Sequence, residues 1–313
     1  MGTITGLIDI KKAISNLNPE QVRRLAERPL RIGIVAADPA GFQRVEEFLL
    51  QGLSPERRRP SAMSLIRAVD AGRVPYDLTI YNESIGQTVP APIGALIFKS
   101  DRPDAFINKA LDQYPDLGIA LARSFLPFRR PFIQRVISRT CKENTLFSLA
   151  TALPDVIPNI IELPWAIAEF ASDTAFLTAN QLRMAFLIAA ASDREVGYRQ
   201  QKSEIATVIA SAFGWRALAR QLVGKIPFGG GLIGKSAVAY AGTKVLGLSL
   251  DHLYSIGYAY TRDERETLYA DAFRQGKDVA MRILRHLRPD LAAKYAKEAA
   301  GRLPMVYPRA DLG

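Results

Sequence analysis

The first third of the chain alternates short apolar runs with amphipathic segments. The apolar runs at residues 31–36, 77–81, 95–98 and 117–122 are bounded by turn-forming residues, which predicts four short strands. Helical spacing of apolar residues predicts helices over 18–28, 42–49 and 102–114, and residues 54–73 are predicted as loop and one helix. Strands separated by helices predict a small, mostly parallel sheet.

From residue 129 onward the pattern becomes helical and stays so. Ile133, Ile137 and Cys141 follow one helical stripe, and Arg135 and Arg139 lie on the opposite side. Residues 166–191 form a strongly apolar segment, 263–286 form a charged amphipathic helix, and 291–300 form a short helix. The sequence therefore predicts an α/β plus all-α protein, with an α/β domain over 1–128 and a helical domain over 129–313.

The helical part contains a glycine-rich stretch at 226–236. Its residues Gly229, Gly234, Lys235 and Ser236 match the phosphate-loop pattern GxxxxGK[ST]. A phosphate loop follows a buried strand, whereas residues 215–225 show helical spacing and are followed by a proline. This context predicts a helical corner. The later glycines lie among Ala, Ser and Thr, which predicts close helix packing.

A second phosphate-loop candidate follows the first predicted strand. Residues 36–41 form a small-residue turn ending in Gly41, but Phe42 replaces the phosphate-binding lysine and Gln43 replaces the magnesium-binding hydroxyl residue. Either this is a phosphate loop that has lost its chemistry, or it is an ordinary strand-to-helix turn. Residues 98–101 likewise approximate the guanine-reading NKxD pattern, with Phe98 in place of its asparagine.

Several polar residues are embedded in apolar helical segments. We expect Asn180, Gln181 and Thr243 to hydrogen-bond to facing helices, because an unpaired amide in such a place costs several kcal/mol. The carboxylates at 155, 162, 169 and 173 lack the Glu-x-x-His pattern of di-iron sites, so we expect no metal site. One cysteine and two histidines are too few for a structural zinc site or a Cys/His catalytic pair, and we expect no catalytic residue.

The chain carries a formal net charge of +10, and its cations cluster. Residues 117–142 contain six basic side chains and no acidic one. This zone borders apolar segments, which favours an anionic membrane surface as a partner; the residues concerned are Arg123, Arg129, Arg130, Arg135 and Arg139. Nucleic acid is less favoured, because aromatic residues do not alternate with the cations. The single cysteine suits the cytosol, and we expect no transmembrane helix.

Three segments resemble a bacterial helical domain of unknown function that is found behind Era-like GTPase domains. They are 144–159 (NTLFSLATALPDVIPN), 177–192 (LTANQLRMAFLIAAAS) and 226–247 (IPFGGGLIGKSAVAYAGTKVLG). The resemblance implies a helical, often membrane-associated module that is fused to, or partnered with, a small GTPase domain. Phe42, Gln43 and Phe98 depart from intact GTPases, so no GTPase activity is carried over.

These observations predict a non-enzymatic protein with a degenerate GTPase-like domain, acting as a scaffold or as a regulator at the membrane surface. The predicted localisation is cytoplasmic, including the inner face of the membrane. The alternative is a regulatory protein that binds GTP or ATP with weak or no hydrolysis. Apart from such a nucleotide no cofactor is expected, and the expected partners are an anionic membrane surface, another protein or a second copy of the chain.

Overall fold

The computed structural model describes residues 17–68, 75–84, 93–153, 173–208 and 231–300. Within them lie four strands, β1 (Ile32–Val35), β2 (Leu65–Arg67), β3 (Leu78–Asn82) and β4 (Leu96–Phe98). The strands form one parallel sheet in the order β2-β1-β3-β4. This confirms the predicted combination of a small parallel sheet with a helical part.

Helices surround and follow this sheet. Their bounds are α1 (Pro19–Ala26), α2 (Pro39–Leu50), α3 (Pro55–Met63), α4 (Pro103–Gln113), α5 (Gly118–Ser124), α6 (Leu126–Ala150), α7 (Asp173–Ala191), α8 (Leu232–Ile256), α9 (Arg262–Leu287) and α10 (Pro289–Ala300). Residues 202–208 are also helical. No helix within the described ranges is both long enough and apolar enough to cross a membrane.

Local sequence explains where several helices begin. Asn18 caps α1 by accepting a hydrogen bond from Gln21 N at 3.1 Å, and Pro19 fits the first turn, where no backbone donor is needed. Thr261 and Glu264 form a capping box at the start of α9. Each device satisfies backbone N–H groups that the first helical turn leaves without partners.

Two sequence predictions in the α/β half are wrong. Residues 117–122 were expected to form the last strand, but they end a 3₁₀ turn (Pro115–Leu117) and continue into helix α5. A short run of buried apolar residues fits a buried helix as well as a strand, and here all residues from Gly118 to Ala122 are buried. The fourth strand is instead β2, which has only three residues and pairs with β1 at the edge of the sheet.

The core is continuous between the two halves. Phe128, in the first turn of α6, lies with its ring 6.0 Å from that of Phe106 on α4. Further along the same helix, Ile137 and Cys141 belong to a cluster that also contains residues of α7 and α8. The domain boundary predicted at residue 128 therefore falls inside α6, and one helix contributes to the core of both halves.

Close helix packing in the second half depends on small residues. A Cβ added to Gly247 of α8 would lie 2.7 Å from Ile137 Cγ1 on α6. A Cβ added to Gly276 of α9 would lie 2.9 Å from the carbonyl oxygen of Ala237 on α8. These distances are shorter than ordinary contacts, so both glycines permit the observed approach of the helices.

Candidate functional site

The loop after β1 lies at the carboxyl edge of the sheet, where open α/β proteins bind their ligands. Asp38 caps α2, because its Oδ1 accepts a hydrogen bond from Gly41 N at 2.6 Å. Gly41 is buried, and a Cβ added there would lie 3.0 Å from Asn82 Oδ1 and 3.1 Å from Ser84 Oγ. The first turn of α2 is therefore closed by side chains of the chain itself.

This closure has an electrostatic consequence. The N-terminus of a helix attracts anions, and in a phosphate loop the bound phosphate takes that place. Here the carboxylate of Asp38 already accepts from the first turn of α2. Phe42 packs against the hydrophobic core, and Gln43 donates to Glu47 Oε1 at 2.7 Å. An incoming phosphate would meet a negative charge at this turn, without the lysine that normally balances it.

The loop after β4 lies at the same edge of the sheet. Phe98 is 2% exposed, and its ring centroid lies 4.8 Å from that of Phe48 and 5.4 Å from that of Phe106. Asp101 is exposed and pairs with its neighbour Arg102 at 3.5 Å. The position that corresponds to the base-reading asparagine is therefore occupied by a core aromatic ring.

Asn82 is a buried polar residue that sequence reasoning missed. It ends β3, is fully buried, and accepts a hydrogen bond from Ser84 N at 3.0 Å through Oδ1. Its Nδ2 has no hydrogen-bond partner among the described residues. The sequence signal was an amide directly after the strand residues 78–81. Asn82 holds the turn after β3 and packs against Gly41, so it helps to close the loop after β1.

The described part of the glycine-rich motif lies at the start of α8. Gly229 is outside the described residues, and so is the segment that would show whether a strand precedes it. Gly234 and Ser236 are buried, whereas Lys235 is exposed in the first turn of α8. The hydroxyl of Ser236 donates to the carbonyl oxygen of Leu232 at 3.0 Å. In a phosphate loop that hydroxyl would bind magnesium, but here it is turned towards its own helix.

The polar residues of the helical half form the network that the sequence predicts. Thr243 Oγ1 on α8 accepts from Asn144 Nδ2 at 2.8 Å and from Gln181 Nε2 at 3.1 Å. Asn180 Nδ2 on α7 donates to Asn144 Oδ1 at 2.9 Å and to Glu143 Oε2 at 3.1 Å. Three helices are thus joined through buried amides and a hydroxyl, which confirms the expectation that Asn180 and Gln181 bond to facing helices.

The edge of this network carries charge. Glu143 accepts a hydrogen bond from Arg139 Nε at 2.8 Å. Burial lowers the pKa of Arg183, while the nearby carboxylate of Glu143 acts in the opposite direction. Gln181 Oε1 and Thr178 Oγ1 are buried without a hydrogen-bond partner among the described residues. The network therefore combines ionic and amide groups that link α6, α7 and α8.

The basic residues of 117–142 do not form one common surface. Arg123 donates to the carbonyl oxygens of Ala190 and Arg194, each at 3.2 Å, and its side chain is only 16% exposed. Arg129 donates to the carbonyl oxygen of Ala122 at 3.4 Å, and burial lowers the pKa of its guanidinium. Both arginines are thus held by intramolecular contacts with neighbouring helices.

The remaining three arginines lie further towards the solvent. Arg135 pairs with Asp112 at 2.5 Å and also donates to the side chain of Asn108 at 3.0 Å. Arg139 pairs with Glu143, as described above, while its own side chain is 66% exposed. Arg130 is exposed. Of the five predicted membrane-binding cations, Arg130 and Arg139 are those best placed to meet an anionic surface.

Metal binding and thiol chemistry are the remaining candidate activities. In the described part of the chain, no three His, Cys, Asp or Glu side chains are grouped so that they could hold a metal ion. The carboxylates at 155, 162 and 169 lie outside that part. Cys141 is fully buried, and burial raises the pKa of its thiol to about 12, which makes the thiol unsuitable as a nucleophile at neutral pH.

Comparison with known proteins adds no relative. No protein-family model, no curated protein and no solved structure matches the chain. The resemblance to the helical domain behind Era-like GTPases therefore stays a prediction, and the function has to be argued from the geometry.

Proposed function

We propose that the protein is a non-enzymatic scaffolding or regulatory protein whose α/β half has the arrangement of a GTPase-like domain without its phosphate chemistry. The observation that best supports this proposal is the hydrogen bond from Gly41 N to Asp38 Oδ1 at 2.6 Å. It supports the interpretation of a self-capped turn at the place where a nucleotide fold binds phosphate. The parallel sheet and the helix after β1 are compatible with this origin.

A scaffolding role is also supported by the continuous core. Helix α6 packs with the α/β half at one end and with α7 and α8 at the other. The buried network around Thr243 then fixes the three helices of the second half. Such an arrangement presents surfaces from both halves in a defined relative position, which is what a scaffold has to provide.

The distribution of arginines favours a protein partner over a membrane surface. Arg123 and Arg129 are engaged within the chain, so they cannot contribute fully to the attraction of about 1 kcal/mol that each well-placed cation gains near an anionic surface. We expect the protein to sediment weakly with vesicles containing phosphatidylglycerol, and increasingly less as salt is added. Strong sedimentation at 0.5 M salt would favour the membrane role instead.

The alternative of a nucleotide-binding regulator depends on the start of α8, where Lys235 is exposed in the first helical turn. Calorimetric titration of the full chain with GTP and with ATP, each with magnesium, separates the two functions. We expect neither nucleotide to give saturable heat that depends on Lys235. Binding that disappears in Lys235→Ala, while circular dichroism shows an intact fold, would establish the alternative and overturn the proposed function.

A further inference from the structure

A cleft of about 460 Å³ opens at the amino edge of the sheet, away from the loop after β1. Its walls come from the segment that leads into β1, from α3 and the residue before β2, and from the end of α5. Nucleotide folds bind their ligands at the opposite, carboxyl edge. Anything bound in this cleft would therefore occupy a site separate from the self-capped loop.

The charged side chains that line the cleft are mostly cationic. Arg28, Arg57 and Arg123 face one acidic residue, Glu27. Glu27 lies 3.6 Å from Arg123, which is too long for a strong charged hydrogen bond, and its side chain is 51% exposed. Carboxylates just outside the lining pair with the same arginines, Asp77 with Arg28 and Asp193 with both Arg57 and Arg123, so the cleft gathers guanidinium groups whose charge is balanced within the chain.

Arg57 has donors left for a ligand. Its Nη2 contacts Asp193 Oδ2 at 2.5 Å, and its side chain remains 43% exposed. No further hydrogen bond from its Nε or Nη1 occurs within the described part of the chain. The hydroxyl of Ser61 already donates to the carbonyl oxygen of Ser124, and that of Ser64 to Ser61. The guanidinium groups, not the hydroxyls, are therefore the donors that the cleft offers.

The partner of Arg57 is held in an uncommon backbone conformation. Asp193 follows the end of α7 with φ at 61°, in the left-handed region that residues other than glycine seldom adopt. Its carboxylate lies between Arg57 and Arg123, at 2.5 and 3.2 Å. The conformation belongs to the end of the helix, where Arg194 N donates to the carbonyl oxygen of Ala189 at 2.9 Å, and it fixes the position of the Asp193 side chain. The carboxylate of Asp193 therefore already takes up some of the hydrogen-bond donors of Arg57 and Arg123.

We propose that this cleft is a binding site for a phosphate group, with Arg57 as the main contact and Arg28, whose exposed guanidinium pairs with Asp77 on one side, as a second one. A phosphate carries close to two negative charges at neutral pH and accepts paired hydrogen bonds from guanidinium groups, so it suits the donors that Arg57 has left and would take the place of the Asp193 carboxylate beside them. The phosphate could belong to a soluble phosphorylated molecule or to a phospholipid headgroup. Met63, 78% exposed at the cleft, would cover an apolar part of the ligand.

Such binding would compete with Asp193 for Arg57. Because Arg57 is on α3 and Asp193 follows α7, a ligand in the cleft would weaken a link between the α/β half and the helical half. The inference is independent of the proposed function, since it concerns the other edge of the sheet.

The test uses the full chain and inorganic phosphate, titrated by calorimetry at low ionic strength, with sodium acetate at equal ionic strength as the comparison anion. We expect phosphate to bind and acetate to bind more weakly. Arg57→Ala should weaken phosphate binding by about tenfold or more, the loss of one charged hydrogen bond. Arg59→Ala is the matched control on the same helix, outside the cleft lining, and should bind phosphate as the wild type does.

Asp193→Asn provides the sharper variant. Asparagine adopts the left-handed conformation readily, so the backbone should be kept while the competing charge is removed. We expect phosphate binding to strengthen by about three- to tenfold. This gain decides the matter even if Arg57→Ala fails to fold, because a purely structural ion pair would give no gain.

Vesicles distinguish the two sources of the phosphate. Stronger binding to phosphatidic acid in phosphatidylcholine than to phosphatidylcholine alone, lost in Arg57→Ala, indicates a lipid headgroup, whereas phosphate binding without vesicle binding indicates a soluble ligand. If the protein binds neither inorganic phosphate nor these vesicles, the inference is overturned. It is overturned as well if phosphate binds but its affinity is the same in the wild type, in Arg57→Ala and in Asp193→Asn. GTP binding that is lost in Lys235→Ala but kept in Arg57→Ala would refute only the proposed function.

Discussion

Asn144 Nδ2 donates a hydrogen bond of 2.8 Å to Thr243 Oγ1, although the two residues are 99 positions apart in the chain. The bond joins α6 to α8, and Asn180 on α7 donates to the oxygen of the same Asn144 amide at 2.9 Å. Apolar residues would pack in several helix registers, but buried amides are satisfied in only one. The network therefore gives the helical half a single arrangement.

The first prediction concerns this network. Asn144→Ala should lower the free energy of unfolding by about 1–3 kcal/mol, because it removes one buried hydrogen-bond partner from Thr243 and one from Asn180. Thr243→Val should also destabilise, and the double variant should lose less than the sum, with a coupling of about 0.5–3 kcal/mol. Urea denaturation measures all three. Lys142→Ala, at an exposed neighbouring position, serves as the control, and strict additivity of the two variants would contradict the network.

The second prediction concerns the contact of α8 with α9. Gly276→Ala would place a Cβ 2.9 Å from the carbonyl oxygen of Ala237 and 2.9 Å from Tyr240 Cβ. Backbone atoms cannot move aside as a flexible side chain can, so we expect a loss of about 1–3 kcal/mol, measured by thermal and urea unfolding. Alanine is otherwise favoured over glycine within a helix, by about 1 kcal/mol. A stabilised Gly276→Ala would show that the two helices are further apart than described, while the exposed Asp278→Ala should be nearly neutral.

The third prediction uses Cys141. Burial raises the pKa of its thiol to about 12, whereas an unfolded thiol ionises near pH 8.5. Between these values the folded state binds more protons than the unfolded state, so this residue stabilises the fold below about pH 8.5 and the contribution is lost as the pH rises towards 12. The free energy of unfolding of the wild type, relative to Cys141→Ala, should therefore fall above pH 8.5.

A thiol reagent gives a second measurement on the same residue. At pH 8 the native protein should not react with Ellman's reagent, and the unfolded protein should react at once. Rapid labelling of the native state, or a difference between wild type and Cys141→Ala that stays constant up to pH 10, would contradict the described burial.

Much of the fold is predictable from local pattern. Strands β1, β3 and β4 and the helices α1, α4 and α9 have clear apolar spacing and turn or capping residues at their ends. Polar residues within the apolar segment of α7 correctly predict interhelical hydrogen bonds, because a buried amide such as that of Asn180 needs partners and finds them in Asn144 and Glu143 on the facing helix.

The sequence pattern fails to predict the elements whose structure depends on tertiary contacts. Strand β2 has three residues, too few for any periodicity, and it exists because Leu65 pairs in register with Ile32. Residues 117–122 form a short buried apolar run, which the local pattern cannot assign to a strand or a helix, and in the folded protein residues 118–122 are buried within α5, where Gly118 packs against the ring of Phe132. The cluster of Arg57, Arg123 and Asp193 has no sequence signal at all, since its members are far apart in the chain and meet only in the folded protein.

We expect the loop after β1 to stay closed by its own cap when nucleotide is present. The backbone amide of Gly41 reports on it directly, because it donates to Asp38 and would have to change partner if phosphate entered. The measurement is the ¹H–¹⁵N chemical shift of Gly41 during titration with GTP and magnesium, with Asp38→Asn as a reference in which the cap is kept but its charge is removed. We predict that Gly41 in the wild type does not respond to the nucleotide, whereas a saturable shift of its amide signal would contradict the account.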